Sequence, residues 1–171
     1  MLISFDGLDS SGKATQVRLF VERLRQAGQS VMQFDTPDYD TPSGRELKQR
    51  LQGKLGNWQE TPWEEKLTYF ANNRTEHRQE FIDALSNGDT VVYDRYVPSS
   101  LVFMEVEAGE ETDRKTVHQK VEDIEYEKNQ MPRESLSIFL DVPPAIALEL
   151  LSGRKKEQQE DGARENRKEL F

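Results

Sequence analysis

The chain contains no cysteine, which excludes disulfide staples and thiolate metal centres and fits a reducing compartment. No apolar run approaches the roughly 20 residues of a membrane-spanning helix; the strong apolar runs, at residues 1–5, 90–93 and 136–142, are all short. No basic stretch leads into a long apolar one at the start, so neither a signal peptide nor a membrane partner is expected, and the expected location is cytoplasmic. Histidine is scarce: His77 and His118 fit no ligand spacing. Excess positive charge is missing too, since 23 Lys and Arg face 32 Asp and Glu for a net charge of −9. Such a chain repels nucleic-acid backbones in general. Any phosphate it holds must sit in a local site built from backbone amides and a few placed cations.

What is present is an alternation of strand and helix signals in 171 residues, enough for one domain with a sizeable core. Residues 2–6 read as a buried strand. Val17, Phe20, Val21 and Leu24 then recur at i, i+3, i+4 and i+7, with Gly28 as a stop signal. A strand at 30–34 precedes a loop from Asp35 to Ser43, and Leu47 and Leu51 mark a short helix ending near Gly53. One long helix is expected from Pro62 to about Ser86, broken by Asn87–Gly88. Thr90–Tyr93 reads as the third strand, one or two helices fill about 98–129, Ser135–Val142 is the fourth strand, and a helix runs from Pro143 through Leu151. No linker or internal repeat divides the chain. The pattern predicts an α/β fold with a mostly parallel central sheet flanked by helices.

Between the first strand and first helix stands Gly7-Leu8-Asp9-Ser10-Ser11-Gly12-Lys13, a match to the phosphate-loop pattern G-x-x-x-x-G-K. Glycines let the backbone curl so that several N–H groups face one phosphate. The following helix adds its positive end, and Lys13 supplies a charge for the outer phosphates. The plain alternative is an ordinary Gly/Ser strand-to-helix turn. One position departs from the pattern: Ala14 stands where a Ser or Thr hydroxyl would meet Mg²⁺. Thr15 lies about 100° further round the helix and cannot simply replace it. Magnesium is therefore expected on ATP oxygens, water and a carboxylate, Asp9 or Asp94.

Four segments together resemble thymidylate kinase. They are Phe5 to Gln16, Thr36-Pro37-Asp38-Tyr39 leading to Pro42-Ser43-Gly44-Arg45, Phe70-Ala71-Asn72-Asn73-Arg74, and Asp94-Arg95-Tyr96-Val97-Pro98-Ser99. Ile138 to Pro143 and an arginine-bearing charged segment extend the likeness to about residue 168. The resemblance implies a three-layer P-loop NTPase-type fold and transfer of the ATP terminal phosphoryl group to dTMP, giving dTDP for dTTP biosynthesis. Residues 1–171 form a single kinase domain on this reading. It also implies a homodimer, which no residue here reveals directly.

By resemblance, Gly7 to Thr15 hold ATP, with Leu8, Ser10, Ser11, Gly12 and Ala14 among them. Lys13, Arg95, Asp9 and Arg154 serve catalysis. Arg95 clamps donor to acceptor, and Asp9 contacts the sugar 3′-hydroxyl. Phe70 stacks on the base and Arg74 reads its edge, which explains a cation on an otherwise apolar helix face that Arg78 extends; the bland alternative is a snorkelling side chain. Pro37 and Tyr39 line the sugar and phosphate side, with Ser99, Ser100 and Phe103 as further acceptor contacts. For Asp94-Arg95 the plain alternative is a strand-end ion pair. Residues 153–168 resemble a lid, with Arg154 its best candidate and Arg164 the next; a solvated charged tail is the other reading, because six basic and four acidic residues make Arg154–Lys168 a charge run.

Two departures bear on specificity and completeness. Met104 stands where a polar group would read the thymine edge, so another nucleoside monophosphate, or a nucleoside, is an alternative acceptor. A P-loop protein that binds nucleotide without catalysis is a further alternative. The family's fifth strand and closing helix have no counterpart here, and the expectation is that the chain's end is missing. Trp58 and Trp63 are read as packing residues.

Overall fold

A computed structural model describes residues 1–153, so the proposed lid with Arg154 and Arg164 lies outside the described residues. Four parallel strands form one sheet: β1 (Leu2–Gly7), β2 (Val31–Asp35), β3 (Thr90–Asp94) and β4 (Leu136–Leu140), in the order β2-β3-β1-β4. β1 and β3 are central and buried on both faces, which is why their sequences read as continuous apolar runs. Their register pairs Phe5 with Asp94 and Ser4 with Tyr93. β4 is an edge strand that exposes Leu136 and Phe139.

Alternation along the strands divides the core into two. Ile3, Phe5 and Val92 pack with Val17 and Val21 of α1 (Lys13–Gln26) on one face. On the other, Leu2, Val91 and Tyr93 meet Leu67 of α3 (Trp63–Thr75), Phe81 of α4 (Arg78–Ser86), Val97 and Met104 of α5 (Val97–Ala108), and Val117 and Val121 of α6 (Arg114–Glu122). Helix on sheet on helix is the three-layer arrangement expected. A short helix, α2 (Pro42–Leu51), is capped by the Thr41 side chain, which accepts from Gly44 N. Residues 144–153 are helical and end the described chain.

The single helix expected over residues 62–86 is two. It breaks at Glu76 and His77 because both side chains are recruited by the loop after β2. Glu76 accepts from Ser43 N at 2.9 Å, and His77 Nε2 lies 2.8 Å from Asp38. The break also moves Arg78 off the face of Arg74: it donates to the Gln130 carbonyl at 3.1 Å. His77, for which spacing offered no role, is thus a tie between α4 and the β2 loop. A further difference follows α6, where the helix continues as a wider π-turn over Asp123–Lys128. Its signature is the i to i+5 bond from Asn129 N to Ile124 O, 3.0 Å.

Candidate functional site

β1 stops at Gly7 because the chain must turn sharply beneath β4. Gly7 has φ +151°, and a Cβ there would sit 3.1 Å from the Leu140 carbonyl oxygen. Ser10 (φ 63°) and Gly12 (φ 83°) complete the curl in left-handed conformation, with Ser11 N bonded to Leu8 O at 3.2 Å. α1 then starts at Lys13 without a side-chain cap. Its first-turn N–H groups therefore remain available to an anion. Ala14 and Thr15 both lie exposed on that turn, while Lys13 is buried.

Two ion pairs tie the phosphate loop to the end of β3. Lys13 Nζ is 2.7 Å from Asp94 at the carboxyl end of β3. The next residue, Arg95, reaches across to Asp9 in the loop at 2.5 Å. Asp94 and Arg95 do not pair with each other, as the strand-end alternative required; each turns to a different residue of the phosphate loop. Arg95 adopts φ 67° and donates its backbone N–H to Phe5 O at 2.9 Å. A left-handed arginine is costly and persists only where its surroundings hold it, as functional sites often do.

Beyond Arg95 opens a cavity of about 320 Å³. It lies at the carboxyl ends of the strands, the place where open α/β sheets bind ligands. Asp9, Arg95, Pro37 and Tyr39 line it towards the phosphate loop, and Phe70, Arg74, Ser100, Phe103 and Met104 line it towards the helices. The deeper wall is a groove between α3 and α5. Lys66, Phe70 and Arg74 recur at helical spacing on one side, and Ser100, Met104 and Glu107 on the other. Arg74 donates to Ser100 Oγ at 2.7 Å. Burial alone would lower the guanidinium pKa, but the Glu125 carboxylate beside it prevails and raises it. The arginine is a buried ion rather than a snorkelling one: only 1% of it is exposed.

Phe103 stacks over Arg95, with the guanidinium 5.4 Å from its ring centre. Ser99 lines the cavity but gives its hydroxyl to Asp6 at 2.5 Å, so it fixes α5 against β1. Burial first, then the Asp9 carboxylate, raises the Tyr39 pKa, so this phenol stays neutral around pH 7 and can donate. Neither lysine nor tryptophan at the far end was legible as site-forming. Trp58 roofs the cavity, edge-on to Phe70 with ring centres 6.2 Å apart, instead of serving packing alone. Lys66 lies buried beneath it, paired with Glu107 at 2.5 Å. The i, i+4 repeat of Lys66, Phe70 and Arg74 was the available signal for Lys66; Trp58 sits in a turn whose fold no periodicity announces.

The family model described as thymidylate kinase matches residues 5–170. The chain belongs to the thymidylate kinase family. Its activity class is that family's, kinase chemistry. Curated relatives include the thymidylate kinase of Leptospira borgpetersenii, 31% identical over 162 residues, covering 93% of this chain and 72% of the relative. A probable thymidylate kinase of Archaeoglobus fulgidus is 30% identical over 159 residues, covering 91% and 71%. The solved thymidylate kinase structure from Candida albicans superposes with a TM-score of 0.62 at 23% identity, covering 85% of this chain. This chain spans 64% of the length of that structure's chain. At that identity the likeness is one of fold.

Proposed function

We propose that this protein transfers the terminal phosphoryl group of ATP to the phosphate of dTMP, and that residues 1–171 form a single kinase domain acting in the cytoplasm as a homodimer. The observation that carries this reading is the pair of cations, Lys13 and Arg95, held by Asp94 and Asp9 between the phosphate loop and the end of β3, with Arg95 and Asp9 lining the cavity. Lys13 and the loop amides take the outer phosphates of ATP, and Arg95 takes the acceptor phosphate. An acceptor phosphate oxygen then bonds to the terminal phosphorus as the bond to the ADP oxygen breaks. Such a transfer needs alignment and charge neutralisation more than covalent help. Asp9, exchanged from Arg95 when nucleotide enters, accepts from the sugar 3′-hydroxyl; Pro37 and Tyr39 flank the sugar, and Phe70 stacks on the base. Among the described residues no helix is long and apolar enough to cross a membrane, and the acidic chain has no use for nucleic acid as a partner.

Magnesium fits the donor set: Asp94 places a carboxylate beside the lysine that meets phosphate, and Mg²⁺ asks for only one or two carboxylates beside phosphate oxygens and water. Bound there, it would neutralise charge on the phosphates. Supplying the absent hydroxyl should tighten this arrangement. Ala14→Ser is expected to raise the ratio of MgATP to metal-free ATP affinity by about threefold to tenfold, the net scale of one ordinary polar contact, read by titration calorimetry. An unchanged ratio would make the hydroxyl irrelevant in this chain.

Coupled ADP-release assays with dTMP, dUMP, dCMP and thymidine test the whole reading. Clear preference for dTMP is expected. Preference for another acceptor would reassign the substrate, and ATP binding without ADP release for any acceptor would leave a nucleotide-binding protein.

A further inference from the structure

A fully buried ion pair lies behind the acceptor cavity. Glu125 is fully buried, and its carboxylate receives Arg74 in a fork: Nε at 3.2 and 3.3 Å, and one terminal nitrogen at 2.5 Å. That terminal nitrogen also donates to Ser100 Oγ at 2.7 Å. Buried ion pairs seldom gain net stability over an apolar pair of similar size. A pair kept at that cost calls for another purpose. The π-turn supplies the placement. Val117, Val121 and Glu125 are the buried residues of α6 and its continuation. In a straight α-helix each step of four residues drifts about 40° around the axis. The wider turn over Asp123–Lys128 offsets that drift and keeps Glu125 aimed at α3, and Glu125 O closes the turn by accepting from Met131 N at 3.0 Å. π-turns are frequent at functional sites.

Arg74 has two of its three nitrogens committed, to Glu125 and Ser100. Its second terminal nitrogen has no protein partner among the described residues, and the residue lines the cavity. We propose that Glu125 is a positioning residue for Arg74: it locks the guanidinium so that its remaining N–H donor faces the acceptor base, and the preference for a pyrimidine monophosphate with a carbonyl rather than an amino group there depends on that lock. Guanidinium donates only; it bonds a 4-oxo pyrimidine and leaves a 4-amino one with donor facing donor. Ser100, held by the same arginine, keeps the geometry from the α5 side. Met104, which has no donor and only a weakly accepting sulfur, leaves this discrimination to the Arg74 unit.

The inference rests on the acceptor being read by Arg74, and the test separates the two. Binding of dTMP and dCMP to the full chain is measured by tryptophan fluorescence, with Trp58 in the cavity wall as reporter, alongside steady-state kinetics. In Glu125→Gln, KM for dTMP is expected to rise about tenfold with kcat changed less than about twofold, KM for ATP unchanged, and the dTMP-over-dCMP preference cut about tenfold. Glu125→Asp keeps the charge but withdraws it by one methylene; it carries the same expectation and serves if the Gln variant fails to fold. A purely structural residue would lower Tm in these variants yet leave KM and the preference at wild-type values, and that result overturns the proposal. A wild-type protein that binds dTMP and dCMP equally overturns both the proposal and the base-reading role of Arg74.

Discussion

Arg95→Ala is expected to lower kcat about 10³-fold, the usual effect of removing an arginine that stabilises charge in phosphoryl transfer. That corresponds to about 4 kcal/mol of lost transition-state stabilisation at about 1.36 kcal/mol per decade. The same variant should bind ATP within about twofold of wild type, because on the proposed reading ATP is held by the loop amides and Lys13 rather than by Arg95. Stability offers a clean control. The partner of Arg95, Asp9, has a side chain 81% exposed, so breaking this pair leaves no buried charge behind. Arg95→Asn gives a second reading, since asparagine tolerates the left-handed backbone at φ 67° better than alanine does. Single-turnover ADP formation and equilibrium dialysis with ATP measure the two halves. A kcat within tenfold of wild type in both variants would remove Arg95 from the chemistry.

Gly44→Ala should damage the acceptor side by a different route. A Cβ at Gly44 would stand 1.7 Å from the Asp38 carbonyl oxygen and 2.9 Å from Asn73 Nδ2. The first of these is backbone and has no rotamer to escape into. α2 and the β2 loop must separate, which strains the bonds by which Asn73 clamps both the N–H and the carbonyl of Asp38, at 2.8 and 3.0 Å. Those bonds hold Pro37 and Tyr39 against the cavity. Overpacking of this kind costs about 2–3 kcal/mol, or a Tm lower by about 4–12 °C for a chain of this size. A displacement near 1 Å in the substrate-positioning loop is worth about 10² in kcat/KM for dTMP. Wild-type melting and wild-type kcat/KM would mean that the loop yields without cost.

Much of the scaffold could be read from local chemistry. β1 and β3 announce themselves as unbroken apolar runs because both faces are covered. The phosphate loop is legible because a curl of amides needs glycine at fixed places. One wall of the cavity was legible through a mismatch: Arg74 on the apolar stripe of α3 invited a functional reading. Its counter-ion was not, since Glu125 is 51 residues away and looks, in sequence, like one more acid in a charged helix. Its spacing of four from Val121 and Val117 was a trace of that burial, but the π-turn that holds it there has no periodic signature of its own. The break between α3 and α4 escaped for a related reason. Both segments favour helix, and the interruption is imposed by Asp38 and Ser43, which claim His77 and Glu76 across the fold. Trp58 belongs with these, a residue whose place depends on where an irregular turn comes to rest.

The pairing of Lys13 with Asp94, and of Arg95 with Asp9, has an electrical consequence. Among the described residues, the two cations at the phosphate end are each matched by a carboxylate, so together they present little field at a distance. A substrate carrying several negative charges approaching a protein of net charge −9 gains no long-range pull from them. It is recognised only once the carboxylates have swapped partners at contact range, so the encounter rate should rise, if it changes at all, as added salt screens the overall repulsion.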